Sequence, residues 1–225
     1  MRKVSLLSLL LCMAIIFAGC KASNTAKGTG IGVGAGAVVG AGIGALIGGK
    51  KGAAIGAGAG AAVGGGAGAL IGAKMDKQKK ELEALQGAKV ESANDGQAIR
   101  VTFDSGILFA SGKSDLSAAS KNSLTQFANS LKTHPDTYVE IYGHTDSQGG
   151  DKVNVPLSQQ RANSVEKFLE SQGVSAFRMA SAGVGSSQPV AIEDARGVQA
   201  LNRRVEVYIL PNEKMIQEAE AGTLK

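Results

Sequence analysis

The stretch that decides the fold is Tyr142–Leu169, "YGHTDSQGGDKVNVPLSQQRANSVEKFL". It leaves an apolar alternation, Val139 and Ile141, and passes through a polar run with two adjacent glycines. It ends in Ala162, Val165, Phe168 and Leu169, which share one helical face. The order is strand, loop, helix, and the loop and early helix carry an acid, Asp146, and a base, Arg161. Ser158 fits a helix N-cap, which would put Arg161 at the third helical position. A cation there opposes the helix dipole and needs a reason. A bound carboxylate supplies one, gaining the guanidinium fork and the helix N-terminus together. The plainer alternative is an Asp146–Arg161 salt bridge that closes the loop.

Outward from this stretch, Ile99, Val101 and Phe103 alternate with polar neighbours, as do Val205, Val207 and Ile209. Alternation implies strands with one covered face. Leu116, Ala119, Leu124, Phe127, Ala128 and Leu131 fit a first helix, and "MASAGVG" at 179–185 a short strand. The order β-α-β-α-β-(short helix)-β predicts a two-layer α+β sandwich over residues 97–211. Residues 74–96 read as a polar helical linker and 212–225 as a loosely ordered polar tail.

The N-terminal part differs in kind. Glycine occupies every fourth position from Gly28 through Gly72, twelve times without a miss. Residues 28–50 and 52–74 form a repeat with 16 identities in 23 positions. Each unit has 22 uncharged residues, and as a helix would span about 33 Å, close to a bilayer's hydrocarbon thickness. In water a helical glycine costs about 1 kcal/mol against alanine, but in lipid small residues let helices approach closely. Residues 28–73 therefore read as an apolar helical hairpin joined by Lys50–Lys51 and able to self-associate. A flexible Gly/Ala linker and a self-associating sheet are the competing readings. The near matches to nucleotide loops, "GALIGGKK" and "GAGAGA", arise from composition: the first has Lys51 where a hydroxyl is required, and no strand precedes the second.

Residues 1–19 read as a signal peptide, with Arg2 and Lys3 before an apolar run. Residues 20–27 follow as a short linker. Charge divides along the same line. Residues 1–87 hold ten Lys/Arg and three Asp/Glu, whereas 88–225 hold fourteen and sixteen, so the overall +5 belongs to the membrane-facing half. The slightly acidic remainder argues against a nucleic-acid binder. Cys12 would leave with the signal, so Cys20 would be the lone thiol, with no disulfide and no thiol pair for a metal. Neither His134, expected to be exposed, nor His144 has metal spacing with another ligand, so no cofactor or metal is expected. His144, Asp146 and Ser147 are too close in sequence to form a catalytic relay without a distant partner, and no enzyme is expected.

Three resemblances add to this reading. "FAGC" at 17–20 resembles a bacterial lipoprotein signal, with cleavage before Cys20 and acylation of its thiol; Phe17 replaces the usual leucine. The tract at 28–73 resembles the glycine-zipper segment of some envelope lipoproteins. Gly143, His144, Thr145, Asp146, Ser147, Gly149, Asn154, Leu157, Ser158, Arg161 and Ala162 resemble, in order, the motif of the OmpA-C-like peptidoglycan-binding domain. "VTFDSG" at 101–106 and "NRRVEV" at 202–207 match that family's first and last strands, and the likeness covers about residues 97–210. The resemblance implies that Arg161 takes the carboxylate and Asp146 the ammonium of the diaminopimelate in the stem peptide. It implies further contacts at Thr145, Asn154, Gly106 and Arg203, although Asn154 could equally brace the loop. It implies a lipid-anchored outer-membrane protein with its domain in the periplasm, tethering membrane to wall. The alternative is a structural or stress-related protein that oligomerises through the hairpin, with wall binding only positional. Val198–Gln199 stands where Gly-Arg or Gly-Lys often precedes the last strand, which puts that segment's contact to ligand or loop in doubt.

Overall fold

The computed structural model describes residues 65–225. The signal peptide, Cys20 and the hairpin readings up to residue 64 lie outside the described residues. Chain order is α1 (Gly65–Leu82), β1 (Ala88–Ala93), β2 (Ala98–Asp104), α2 (Ser105–Leu108), α3 (Ala118–Thr133), β3 (Thr137–His144), α4 (Asp151–Ser171), β4 (Met179–Gly185), β5 (Arg204–Pro211) and α5 (Glu213–Glu220). The five strands form one sheet in the order β1-β2-β5-β3-β4. Only β3 and β4 run parallel, joined by α4 as crossover; the other pairs are antiparallel. The α+β class and the helix-on-sheet sandwich are as expected.

One face of the sheet is dry. Ile99, Val101, Phe103, Val139, Ile141, Val205, Val207 and Ile209 meet Leu124, Phe127 and Leu131 of α3 and Ala162, Val165 and Leu169 of α4. Phe103 and Phe127 pack edge to face with centroids 5.8 Å apart. The α3 stripe differs from expectation in one place: Ala119 is exposed and Ser120 is buried. Capping explains the shift. Ser117 is the N-cap and accepts from the Ser120 N–H at 3.1 Å, while Ser120 Oγ donates back to the Ser117 carbonyl at 2.8 Å.

Four local readings are corrected. The stretch 74–96 is not helical throughout: α1 ends at Leu82, and β1 pairs with β2 across a turn at Asn94, Asp95 and Gly96, all with positive φ. Asn-Asp-Gly is strong hairpin chemistry, outweighed in the sequence by the charged run before it. The helix α1 also begins inside the glycine-rich tract and belongs to the domain, with Ile71, Met75 and Leu82 at 0–1% exposure in its core. Burial of each such side chain contributes about 1.5–3 kcal/mol. The tail is ordered as α5, capped by Asn212 on the Met215 N–H at 3.0 Å and buried through Met215 and Ala219. His134 is half-buried rather than exposed, and its Nε2 lies 2.8 Å from Glu81 of α1.

The polar side of the alternation is not wet either. Every residue of β5 is buried, and Tyr142, Tyr208, Ala182 and Leu210 cluster on the second face. Its carboxylates are hydrogen-bonded: Arg204 Nε lies 2.7 Å from Glu206 Oε1, Tyr208 donates to Glu206 at 2.8 Å, and Tyr142 to Glu140 at 2.6 Å. Alternation separates apolar from polar; it does not separate buried from exposed. Burial raises the pKa of Glu140 against its bond from Tyr142, whereas Arg204 and the Tyr208 hydroxyl hold Glu206 below the usual range despite burial. His144 is driven down to about 3 by burial first and then by Arg204, so it is neutral.

Candidate functional site

The polar loop after β3 and the start of α4 are built by close approach. A Cβ on Gly143 would sit 2.1 Å from the Ser158 carbonyl oxygen, and one on Gly183 would sit 2.2 Å from the Gln159 nitrogen. These glycines let α4 lie directly on the ends of β3 and β4. Ser158 is therefore not an N-cap. The helix starts at Asp151, with Gly150 as cap residue, and runs through Pro156. Ser158 Oγ instead donates to the Val155 carbonyl at 2.8 Å and accepts from the Gly185 N–H at 3.0 Å, tying α4 to β4. Arg161 thus lies well inside the helix, and the argument from the helix dipole falls away. What remains is a buried cation whose partners must be counted.

A cleft of about 500 Å³ opens between the α2 segment, the loop after β3 and α4. All six expected contact residues line it: Gly106, Thr145, Asp146, Asn154, Arg161 and Arg203. Asp146 is 4% exposed, and it is not paired with Arg161. Its Oδ2 accepts from Arg203 NH1 at 2.7 Å and from the Gln199 N–H at 3.1 Å. Oδ1 takes no hydrogen bond among the described residues. The second of those donors resolves the departure at Val198–Gln199: contact to the loop is made through the Gln199 main chain, whatever side chain precedes the last strand. Asn154 braces the loop, donating from Nδ2 to the Asp146 and Gln148 carbonyls, both at 3.0 Å. Asp104 caps α2 by accepting from the Gly106 N–H at 2.6 Å.

Arg161, also 4% exposed, is held on two sides. Its Nε donates to the Lys113 carbonyl at 3.0 Å, and its Cζ lies 5.3 Å from the centroid of the Phe109 ring. Its two terminal nitrogens make no hydrogen bond or ion pair among the described residues. Burial lowers its pKa first, Arg203 adds to the shift, and Asp146 opposes it. An arginine stays charged all the same, so the cleft holds a desolvated cation with an unused fork. Two hydroxyls there, Ser105 Oγ and Thr145 Oγ1, are buried without a partner. Chemically, the half-open cleft offers a free carboxylate oxygen on Asp146 and an unused guanidinium fork on Arg161, with hydroxyls to spare. That suits a small zwitterion. Phe109, the Lys113 carbonyl and Ser105 were not among the expected residues. The signal for Ser105 was its place beside Gly106 in "FDSG"; Phe109 reads in sequence as ordinary core.

Among the described residues no group of His, Cys, Asp and Glu could hold a metal, and no helix is long and apolar enough to cross a membrane.

Residues 108–203 match the OmpA family, and residues 1–80 match the YMGG-like Gly-zipper. The probable lipoprotein YiaD of Escherichia coli is 39% identical over 138 residues, covering 61% of this chain and 63% of that protein. The peptidoglycan-binding protein ArfA of Mycobacterium bovis is 37% identical over 112 residues, covering 50% of this chain and 34% of that protein. The chain therefore spans less than two thirds of the length of either relative. The cell wall anchor of the T6SS from Pseudomonas aeruginosa superposes with a TM-score of 0.51 at 27% identity, over 61% of this chain and 97% of the other.

Proposed function

With an OmpA family domain behind a glycine-zipper segment as its premise, we propose that this chain is a non-catalytic outer-membrane lipoprotein that tethers the membrane to the cell wall. In this reading Cys20 carries the lipid and the domain grips peptidoglycan in the periplasm. The cleft holds the free end of diaminopimelate, which bears an ammonium and a carboxylate on one carbon. Asp146 Oδ1 receives the ammonium and the Arg161 fork receives the carboxylate as a bidentate, charge-assisted pair. Thr145 brings an unpartnered hydroxyl to the ligand, and Arg203 stays paired with Asp146 beside it. Gly106 leaves room beside the ligand, and Asn154 keeps the loop in shape. The single observation that carries the reading is the buried Arg161, fixed at Nε and on one ring face, with both terminal nitrogens unused.

Relatives support it by their names alone: one is a probable lipoprotein and one a peptidoglycan-binding protein. The test is co-sedimentation of the full-length protein, in detergent, with purified diaminopimelate-type sacculi. Competition should come from the tripeptide L-Ala-γ-D-Glu-meso-diaminopimelate and not from the matching lysine tripeptide, which lacks the side-chain carboxylate. Equal competition by both peptides contradicts the proposed ligand.

A further inference from the structure

Ser105 is held by its main chain and idle at its side chain. Its N–H donates to the Arg203 carbonyl at 3.0 Å and its carbonyl accepts from the Phe109 N–H at 2.8 Å. The residue is 3% exposed, and Oγ has no partner among the described residues. A buried hydroxyl with no bond destabilises the protein that carries it; alanine would fill the same space without that cost. Thr145 Oγ1 is in the same condition, and both residues line the cleft that contains Asp146 and Arg161. The other residues with buried unpartnered side-chain atoms, Gln78, Asn94, Ser130 and His144, do not line it.

The ligand chemistry asks for such groups. A carboxylate has about four lone-pair sites, and a bidentate guanidinium satisfies two. With the anion removed from bulk water, the remaining sites need donors from the protein. Arg203 is engaged with Asp146, and Arg161 Nε with the Lys113 carbonyl. The buried hydroxyls are the donors left over. We propose that Ser105 is a ligand contact and a specificity determinant: with Thr145 it donates its hydroxyl to the carboxylate held by Arg161. This rests on the diaminopimelate reading and adds to it a residue that reads the carboxylate end.

The test is calorimetric titration of full-length protein with the diaminopimelate and lysine tripeptides, comparing wild type with Ser105→Ala. The substitution should weaken the diaminopimelate peptide about tenfold, leave the lysine peptide's weaker binding unchanged, and leave the unfolding midpoint equal or higher. Diaminopimelate affinity unchanged in Ser105→Ala, while Arg161→Ala abolishes it, overturns the role of Ser105 and leaves the ligand assignment standing. Equal weakening of both peptides together with a lower unfolding midpoint marks Ser105 as structural and also overturns the proposal. A wild type that does not distinguish the two peptides overturns the underlying reading itself.

Discussion

The two ends of β3 each meet an arginine withdrawn from water, half-buried at one end and buried at the other, and the two are used in opposite ways. At the Thr137 end, Arg178 donates from Nε to the Thr137 carbonyl at 2.7 Å and from NH1 to the Leu131 carbonyl at 2.9 Å. Its NH2 reaches the His134 carbonyl and Thr137 Oγ1, both at 2.8 Å. That guanidinium stitches the end of α3, the start of β3 and the turn before β4 into one unit. Near the His144 end, Arg161 makes one such bond, to Lys113, and leaves its fork open. Both charges pay desolvation, and burial lowers both pKa values. The first is compensated within the fold; the second waits for something outside it. A buried arginine is therefore informative through its unsatisfied donors, not through its burial.

The largest effect should come from removing the platform beneath the open end. Gly143→Ala would force a Cβ into the Ser158 carbonyl, and we expect a loss of more than about 4 kcal/mol, read as failure to fold by circular dichroism. Next, Arg178→Ala should lower stability by about 3–5 kcal/mol by orphaning carbonyls at the closed end. Sacculus binding by the protein that remains folded should be unchanged. Arg161→Ala should invert that pattern, with stability within about 1 kcal/mol of wild type and sacculus affinity reduced more than about a hundredfold. If both arginine variants fail in the same assay, the contrast between the two ends is broken.

Smaller effects sharpen it. Phe109→Leu keeps an apolar side chain but removes the ring from Arg161, and should weaken binding roughly threefold to tenfold. Phe109→Tyr should restore it. His144 tests the buried polar face near the cleft. Because its folded pKa is depressed to about 3, the unfolded chain binds the extra proton first, so stability falls as pH drops from 7 through the ordinary histidine range. The contribution between pH 7 and pH 6 is about 0.7 kcal/mol, and His144→Asn should remove it from the pH slope. Denaturant titrations at the two pH values measure the difference.

The sequence showed the dry face of the sheet and six of the residues that line the cleft, because period-two apolar runs and short motifs are local signals. It did not show that α1 and β1 belong to the domain. The charged residues 74–83 concealed the buried Ile71, Met75 and Leu82, whose helical spacing lies partly inside the glycine-rich tract. A fragment beginning at residue 88 would therefore lose part of its core, so the binding experiments call for the full chain. Nor could it show that Asp146 pairs with Arg203 rather than Arg161, since both arginines are compatible with the spacing and only the packed loop chooses. Ser158 was misplaced because a serine ahead of an apolar helical face is an ordinary N-cap signal, whereas the helix begins at Asp151 and tolerates Pro156 in its second turn.

The central claim is that the open fork and the free side of Asp146 hold one zwitterion. Its most direct test is calorimetric titration of the diaminopimelate tripeptide into full-length Asp146→Asn/Arg161→Ala, with folding checked by thermal unfolding. Asparagine keeps the volume and an acceptor for Arg203 and the Gln199 N–H, so the loop should survive. The account predicts a folded protein with no measurable heat of binding. Wild-type affinity in that folded double variant would contradict it.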